Sequence, residues 1–252
     1  MSGHSKWANI KYRKSAQDAR KGLLFSKLAR AVLVAARRGG KDPEVNFDLK
    51  TAIGKARDMG LPKENIQRAI ARGVGEVEGI VLEEITYEGF GTGGVGIVVE
   101  AVSENRNRTT SDVRHLFSKY GGSLATLGAV SWKFKRMGLI VVLSKRKEKS
   151  LTEDIVLEDA AELGAADVKA IQDGFEILTP VDQFGRIRGE LDKKSYSIRL
   201  SELTLIPTLQ IPLQGDEARQ VFDLVVELQD LEDVQNVTTD ADLPDDLFVQ
   251  AA

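Results

Sequence analysis

The chain has 252 residues, 42% of them apolar and 29% charged, and a formal net charge of −3. That is enough apolar material for two or three small cores, but no apolar run reaches the roughly 20 residues that cross a bilayer. With no cysteine and two histidines, disulfides and thiolate metal sites are excluded, and a His-based zinc site would need distant carboxylates to complete it.

Residues 1–15 carry little hydrophobic periodicity, being diluted by Gly3, Ser5 and Asn9, and read as an arm. Phe25, Leu28, Ala29, Val32 and Ala36 then fall on one stripe of an amphipathic helix that Gly39-Gly40 ends. Asp42-Pro43-Glu44 predicts a second helix start, with Asp42 as cap, and Leu49, Ala52, Ile53 and Ala56 as its stripe. Pro62 and Glu64 open a third, striped by Ile66, Ala69 and Ile70 and stopped by Gly73. The expected first domain is therefore 1–78, a basic arm plus a three-helix unit.

The period then switches to two. Val81 to Tyr87 and Val95 to Val102 read as strands joined by a glycine-rich turn, Ser111 as the cap of a helix striped by Val113, Leu116 and Phe117, and Ala129 to Lys135 as a third strand. Leu139 to Leu143 begins a second series. Thr152 caps a helix with Ile155, Leu157, Ala161 and Leu163; Asp167 to Ile171 and Phe175 to Thr179 form a hairpin; Val181 to Lys193 is a helix weakened by Gly185 and Gly189; Ser197 to Leu205 closes the series. The order β-α-β-β-α-β is the ferredoxin-like split unit. The segment before it lacks a closing helix and strand, and residues 215–239 supply one. The expected fold is thus mixed α/β (α+β): the helical domain, then a discontinuous α/β domain of 79–136 and 207–252 that carries an inserted ferredoxin-like domain, 137–206.

The charge is split along the chain. The first 41 residues hold eleven bases and one acid, while residues 150–252 hold 7 bases and 23 acids. Charge of this kind speaks to partners rather than to folding. Lys6-Trp7-Ala8-Asn9-Ile10-Lys11-Tyr12-Arg13-Lys14 interleaves two aromatics with four cations. Cations neutralise phosphates and aromatic faces stack on bases; alternatively, Trp7 and Ile10 pin the arm to a core. Arg20, Lys21, Lys27, Arg30, Arg37 and Arg38 continue the positive stretch into the first helix. Arg106 and Arg108, in Glu104-Asn105-Arg106-Asn107-Arg108-Thr109, stand beside a helix start; the stretch suits a turn, and the two arginines also suit an anion.

Catalytic patterns are weak. Gly89-Phe90-Gly91-Thr92-Gly93-Gly94 matches G-x-G-x-x-G, but a strand follows where a dinucleotide site needs a helix N-terminus. No Walker pattern occurs. The acids form no specified metal or acid/base set, and His4 and His115 belong to no triad. No cofactor and no metal are expected.

The opening Gly3-His4-Ser5-Lys6-Trp7-Ala8-Asn9-Ile10-Lys11 resembles the start of the YebC/PmpR family, and so do Phe25-Ser26-Lys27-Leu28, Asn65-Ile66-Gln67-Arg68-Ala69-Ile70, Tyr87-Glu88-Gly89, Glu104 to Thr109 and Leu243-Pro244. The resemblance covers essentially the whole chain. It implies three domains and a non-enzymatic regulator of gene expression. Members are usually labelled DNA-binding transcriptional regulators, whereas a related mitochondrial translational activator works on the ribosome. The expected partner is nucleic acid, DNA or ribosomal RNA, with the ribosome included and no membrane. The expected location is the cytoplasm, since the polar start lacks a signal-peptide core. The sequence leaves the oligomeric state open, a monomer included. An acidic-faced protein adaptor and a metal-dependent nuclease are the other classes weighed; the acid-poor basic segment speaks against the nuclease.

Overall fold

The computed structural model describes residues 18–77, 82–146, 149–171 and 173–250. The chain divides into two compact units, one of residues 133–209 and one holding the segments on either side of it.

The helical part consists of α1 (Asp18–Gly39), α2 (Phe47–Asp58) and α3 (Lys63–Gly73). Their apolar stripes meet in one core: Leu28, Val32 and Ala36 from α1, Leu49, Ile53 and Ala56 from α2, Ile66 and Ala69 from α3. The cap of α2 differs from the sequence expectation. Asn46, not Asp42, accepts from the Leu49 N–H at 3.1 Å, while Asp42 starts a preceding turn and accepts from the Glu44 N–H at 2.9 Å. Asn46 is buried, and its amide also donates to the carbonyls of Ala35 and Gly40, each at 2.8 Å. It can do so because residue 39 is glycine: a Cβ there would lie 2.7 Å from the Asn46 side chain.

The α/β part of the same unit has β1 (Glu83–Phe90), β2 (Gly96–Ser103), α4 (Arg106–Lys119) and β3 (Ser123–Ala125). Further along the chain come α7 (Gly215–Asp230) and β11 (Val234–Thr239). The sheet order is β11-β2-β1-β3 and every neighbour is antiparallel. Gly93 and Gly94, at φ 71° and 73°, turn the chain between β1 and β2, and the pairing runs to Phe90↔Gly96. The glycine-rich motif is therefore a hairpin connection. Two expectations are corrected. Helix α4 begins at Arg106 with Asn105 as its cap, accepting from the Arg108 N–H at 3.1 Å, so Ser111 lies within it. The third strand is the three-residue β3, and the alternation at 129–135 belongs to a short 3-10 turn (Ser131–Lys133) and the start of the strand that begins at Phe134. A minor parallel bridge of β10 (Ile211–Pro212) with β12 (Ala241–Asp242) precedes the last helix, α8 (Asp245–Gln250).

The unit 133–209 holds β4 (Phe134–Leu143), the short pair β5 (Lys145–Arg146) and β6 (Lys149–Ser150), then α5 (Glu153–Glu162), β7 (Asp167–Ile171), β8 (Gly174–Thr179), α6 (Phe184–Lys193) and β9 (Ile198–Pro207). Its sheet, β7-β8-β4-β9, is wholly antiparallel, the order of a ferredoxin-like unit. Ile140, Val142, Phe175 and Ile177 pack against Val156 and Ala160 of α5 and Ile187 and Leu191 of α6. Thr152 precedes α5 without a side-chain cap bond, and α6 starts three residues later than the sequence suggests, at Phe184.

Candidate nucleic-acid interface

Lys6, Trp7, Lys11, Arg13 and Lys14 lie outside the described residues, as does the side chain of Arg20. Lys21 is exposed near the start of α1. The remaining expected phosphate ligands bond to acids and main-chain carbonyls of the chain itself. Lys27 donates to the Gln229 carbonyl. Arg30 donates to the Glu232 carbonyl at 2.8 Å, to Glu232 Oε1 at 3.0 Å and to Asp233 Oδ1 at 3.0 Å. Arg37 donates to the Leu82 carbonyl and, at 2.8 Å, to Glu84, whose other oxygen pairs with Arg38. Arg106 pairs with Glu83 at 2.6 Å and Arg108 with Asp233 at 2.9 Å.

These contacts follow from helix geometry. Successive residues are about 100° apart, so Lys27, Arg30, Val34, Arg37 and Arg38 share one side of α1, away from the side that Leu28, Val32 and Ala36 bury in the helical core. Val34 is buried with Leu82 and Val102 at the centre of that side, and the cations ring it.

Asp233 is the hub. Ser103, Thr109 and Arg108 all donate to its Oδ2, at 3.0, 2.6 and 2.9 Å, while Arg30 takes Oδ1. Burial alone would push its pKa up. The hydrogen bonds from Thr109, Arg108 and Ser103 and the charge of Arg30 outweigh that and hold it below its ordinary value. Charge and spacing gave no hint of this residue, because Asp233 stands in an acidic stretch that reads as a solvated helix face, and its partners lie far away in sequence.

A different set of polar groups faces outward. On α3, Asn65, Arg68 and Arg72 are exposed on the side flanking buried Ile66 and Ala69. Their i, i+3, i+7 spacing puts them on one side. Asn and Arg are the side chains that read purine edges or meet phosphate. Lys63 opens the same helix, and Arg57 lies in the last turn of α2, also exposed. Arg68 lies in one of the stretches that carry the family resemblance, but neither it nor Asn65 and Arg72 was among the expected site residues, although the apolar stripe of Ile66, Ala69 and Ile70 was readable.

A second ordered feature is the loop after β3. Glu88 is 3% exposed, and its carboxylate accepts the backbone N–H groups of Gly128, Val130 and Ser131 at 2.8, 2.6 and 2.9 Å. Burial opposes its ionisation, yet those three bonds and the Ser131 hydroxyl keep its pKa below the usual carboxylate value. The loop so held leaves Leu127 and Trp132 largely exposed, with the indole N–H donating to the Ala129 carbonyl at 3.0 Å.

Among the described residues, no group of three or more His, Asp or Glu side chains is placed to hold a metal ion, and no helix is long and apolar enough to cross a membrane.

Comparison with known proteins places these features in a family. The profile described as "TACO1/YebC protein N-terminal domain" matches residues 5–76, and "TACO1/YebC second and third domain" matches residues 82–241. A "probable transcriptional regulatory protein" of Dictyoglomus turgidum is 46% identical over 248 residues, covering 98% of each chain. One of the same name from Thermotoga maritima is 43% identical over 245 residues, covering 97% of this chain and 95% of the other. The crystal structure of a conserved hypothetical protein from Aquifex aeolicus, 42% identical, superposes with a TM-score of 0.82 over 90% of this chain and 92% of that one.

Proposed function

The chain belongs to the TACO1/YebC family, whose curated relatives carry the name of probable transcriptional regulatory proteins, and from that premise we propose that it is a non-enzymatic, nucleic-acid-binding regulator of gene expression. The observation that carries this reading is the eleven-to-one excess of bases over acids in residues 1–41 of a chain whose net charge is −3. A surface with that local excess attracts phosphate by counterion release.

The phosphate ligands divide into two sets. Lys6, Lys11, Arg13, Lys14, Arg20 and Lys21 precede the part of α1 that pairs with acids, and they make the first contact. Arg68 and Arg72, with Asn65 one turn before them on α3, make a second, outward contact from the helical domain. This set carries the DNA-binding reading: a short helix with an Asn/Arg stripe presents groups able to reach base edges in a groove. Trp7 and Tyr12 among the cations of the arm favour a second target, unpaired bases of an RNA such as ribosomal RNA, where aromatic stacking tolerates any sequence. The acidic 150–252 segment, 23 acids to 7 bases, repels phosphate and suits basic protein surfaces.

Titration of duplex DNA, single-stranded DNA and structured RNA against the protein at several salt concentrations tests the proposal. Salt-dependent binding to at least one of them is expected. Arg68→Ala with Arg72→Ala should weaken duplex binding most, and Trp7→Ala should weaken single-strand binding most. Salt-independent binding, or none to any of the three, would refute it.

A further inference from the structure

The side of α1 that bears Lys27, Arg30, Arg37 and Arg38 is occupied in this structure by acids and carbonyls of the α/β domain. We propose that it is a second phosphate-binding face, covered in the free protein by Glu84, Glu232 and Asp233 and uncovered when nucleic acid draws the helical domain off the sheet. The proposal rests on the nucleic-acid reading above and adds to it where and how a further part of the polyanion is held.

Three features support it. The first is how little apolar contact lies beneath the charges. Val34, Leu82 and Val102 are buried there with Leu33 beside them, whereas the core of the helical part holds ten buried residues, nine from the helices and Leu61 from the α2–α3 connection. Among the described residues, the apolar footing beneath these charges is the Val34, Leu82 and Val102 cluster. Charge-assisted bonds supply the rest, and salt and competing anions weaken such bonds.

The second is the chemistry of the partners. Arginine forks bind carboxylate and phosphate in the same bidentate manner. Arg30 reaches two acid side chains, and Arg37 and Arg38 share the two oxygens of Glu84. These are acids in positions that phosphate oxygens could take. Lys27 and Arg37 also use main-chain carbonyls of Gln229 and Leu82, neutral acceptors that lose less than an acid would when the cation leaves.

The third is the arrangement at Asp233. A buried carboxylate abandoned by its cation is normally a strong barrier to separation. Here Arg30 occupies only Oδ1, and the Ser103, Thr109 and Arg108 donors all remain on Oδ2, on the sheet side of the contact. Removal of α1 leaves the carboxylate paired with Arg108 and its Oδ2 still bonded to Ser103 and Thr109. Side-chain exposure is consistent with this: Arg30 and Asp233 are 13% and 6% exposed, while Arg108 is 54% exposed and makes its bond from the solvent side.

The chain has no cysteine, so Asp58→Cys on α2 and Ser118→Cys on α4, both exposed, can carry spin labels without background. In the full-length protein, an excess of single-stranded RNA oligonucleotide should move the inter-label distance distribution to longer values. Separately, Glu84→Gln with Glu232→Gln should bind that RNA at least several-fold more tightly than Asp182→Asn with Asp192→Asn, which changes the charge equally on exposed positions of the other unit. RNA that binds with an unmoved distribution, or equal affinity of the two double variants, overturns the covered-face proposal and leaves the proposed function standing. Failure of RNA, duplex DNA and single-stranded DNA alike to bind overturns the two together.

Discussion

Two buried carboxylates do work that a composition count hides. Glu88 converts three backbone N–H groups into one anchor for the loop that carries Leu127 and Trp132. Glu88→Gln keeps the shape but removes the charge and an acceptor, so about 1–3 kcal/mol of stability should be lost, with faster amide exchange at residues 128–131 as the local readout. Asp233 and Glu88 both have folded-state pKa values below their ordinary ones. Their contributions are therefore complete above the unfolded carboxylate values near pH ~4 and vanish as pH falls through the lower, folded values. Thermal unfolding should show a melting temperature level with pH above that range and falling in acid. The variant Asp233→Asn with Glu88→Gln should flatten the acid limb. An acid limb of unaltered steepness would show that other groups dominate it. Neither role was legible in the sequence, because each carboxylate finds its partners tens of residues away or more, whereas the local pattern around it is that of an ordinary strand or acidic run.

At the scale of the element, local signals compete and the nearest is not always the one used. Asp42-Pro43-Glu44 has every mark of a helix start, yet α2 waits for Asn46, whose amide also closes the end of α1. Asn46→Ala should lose the ~0.5–2 kcal/mol of a cap and more for the buried carbonyls left unpaired, whereas Asp42→Ala should stay within about 0.5 kcal/mol of the parent. Chemical denaturation of the two variants distinguishes them, and equal losses would argue that both turns are needed. The apolar stripes of all three N-terminal helices were readable because each helix buries one side in a common core. The start of α4 and the position of β3 were not. Asn105 caps from inside a polar run, and β3 is three residues held by β1 rather than by its own alternation. For the site, the basic character of α1 was plain in the sequence, but the direction of its cations was not. Direction depends on which side of the helix the sheet takes, and periodicity marks only the apolar stripe.

For the whole molecule, the domain plan rests on a helix and a strand that return after a long detour. The strand pairs Phe134↔Pro207, Lys135↔Ile206 and Arg136↔Leu205 continue three residues beyond a boundary drawn at 137–206. We therefore expect a fragment of residues 133–209 to fold alone, and a chain with a short Gly/Ser bridge between Trp132 and Gln210 to keep its helical and α/β parts. Cooperative unfolding of each piece would support the inserted-domain plan, and an unfolded fragment would count against it. The charge split belongs to this scale too. Four of the N-terminal cations, Lys27, Arg30, Arg37 and Arg38, bond to acids and carbonyls of the chain itself, and the arm precedes them. The most direct test of that division is the salt dependence of nucleic-acid binding in a variant with charge reversal at Lys11, Lys14 and Lys21. Each phosphate contact removed should lower the slope of log affinity against log salt by roughly 0.7–0.9, with the fold intact by circular dichroism. A folded variant that keeps the parent slope would contradict a phosphate-binding N-terminus.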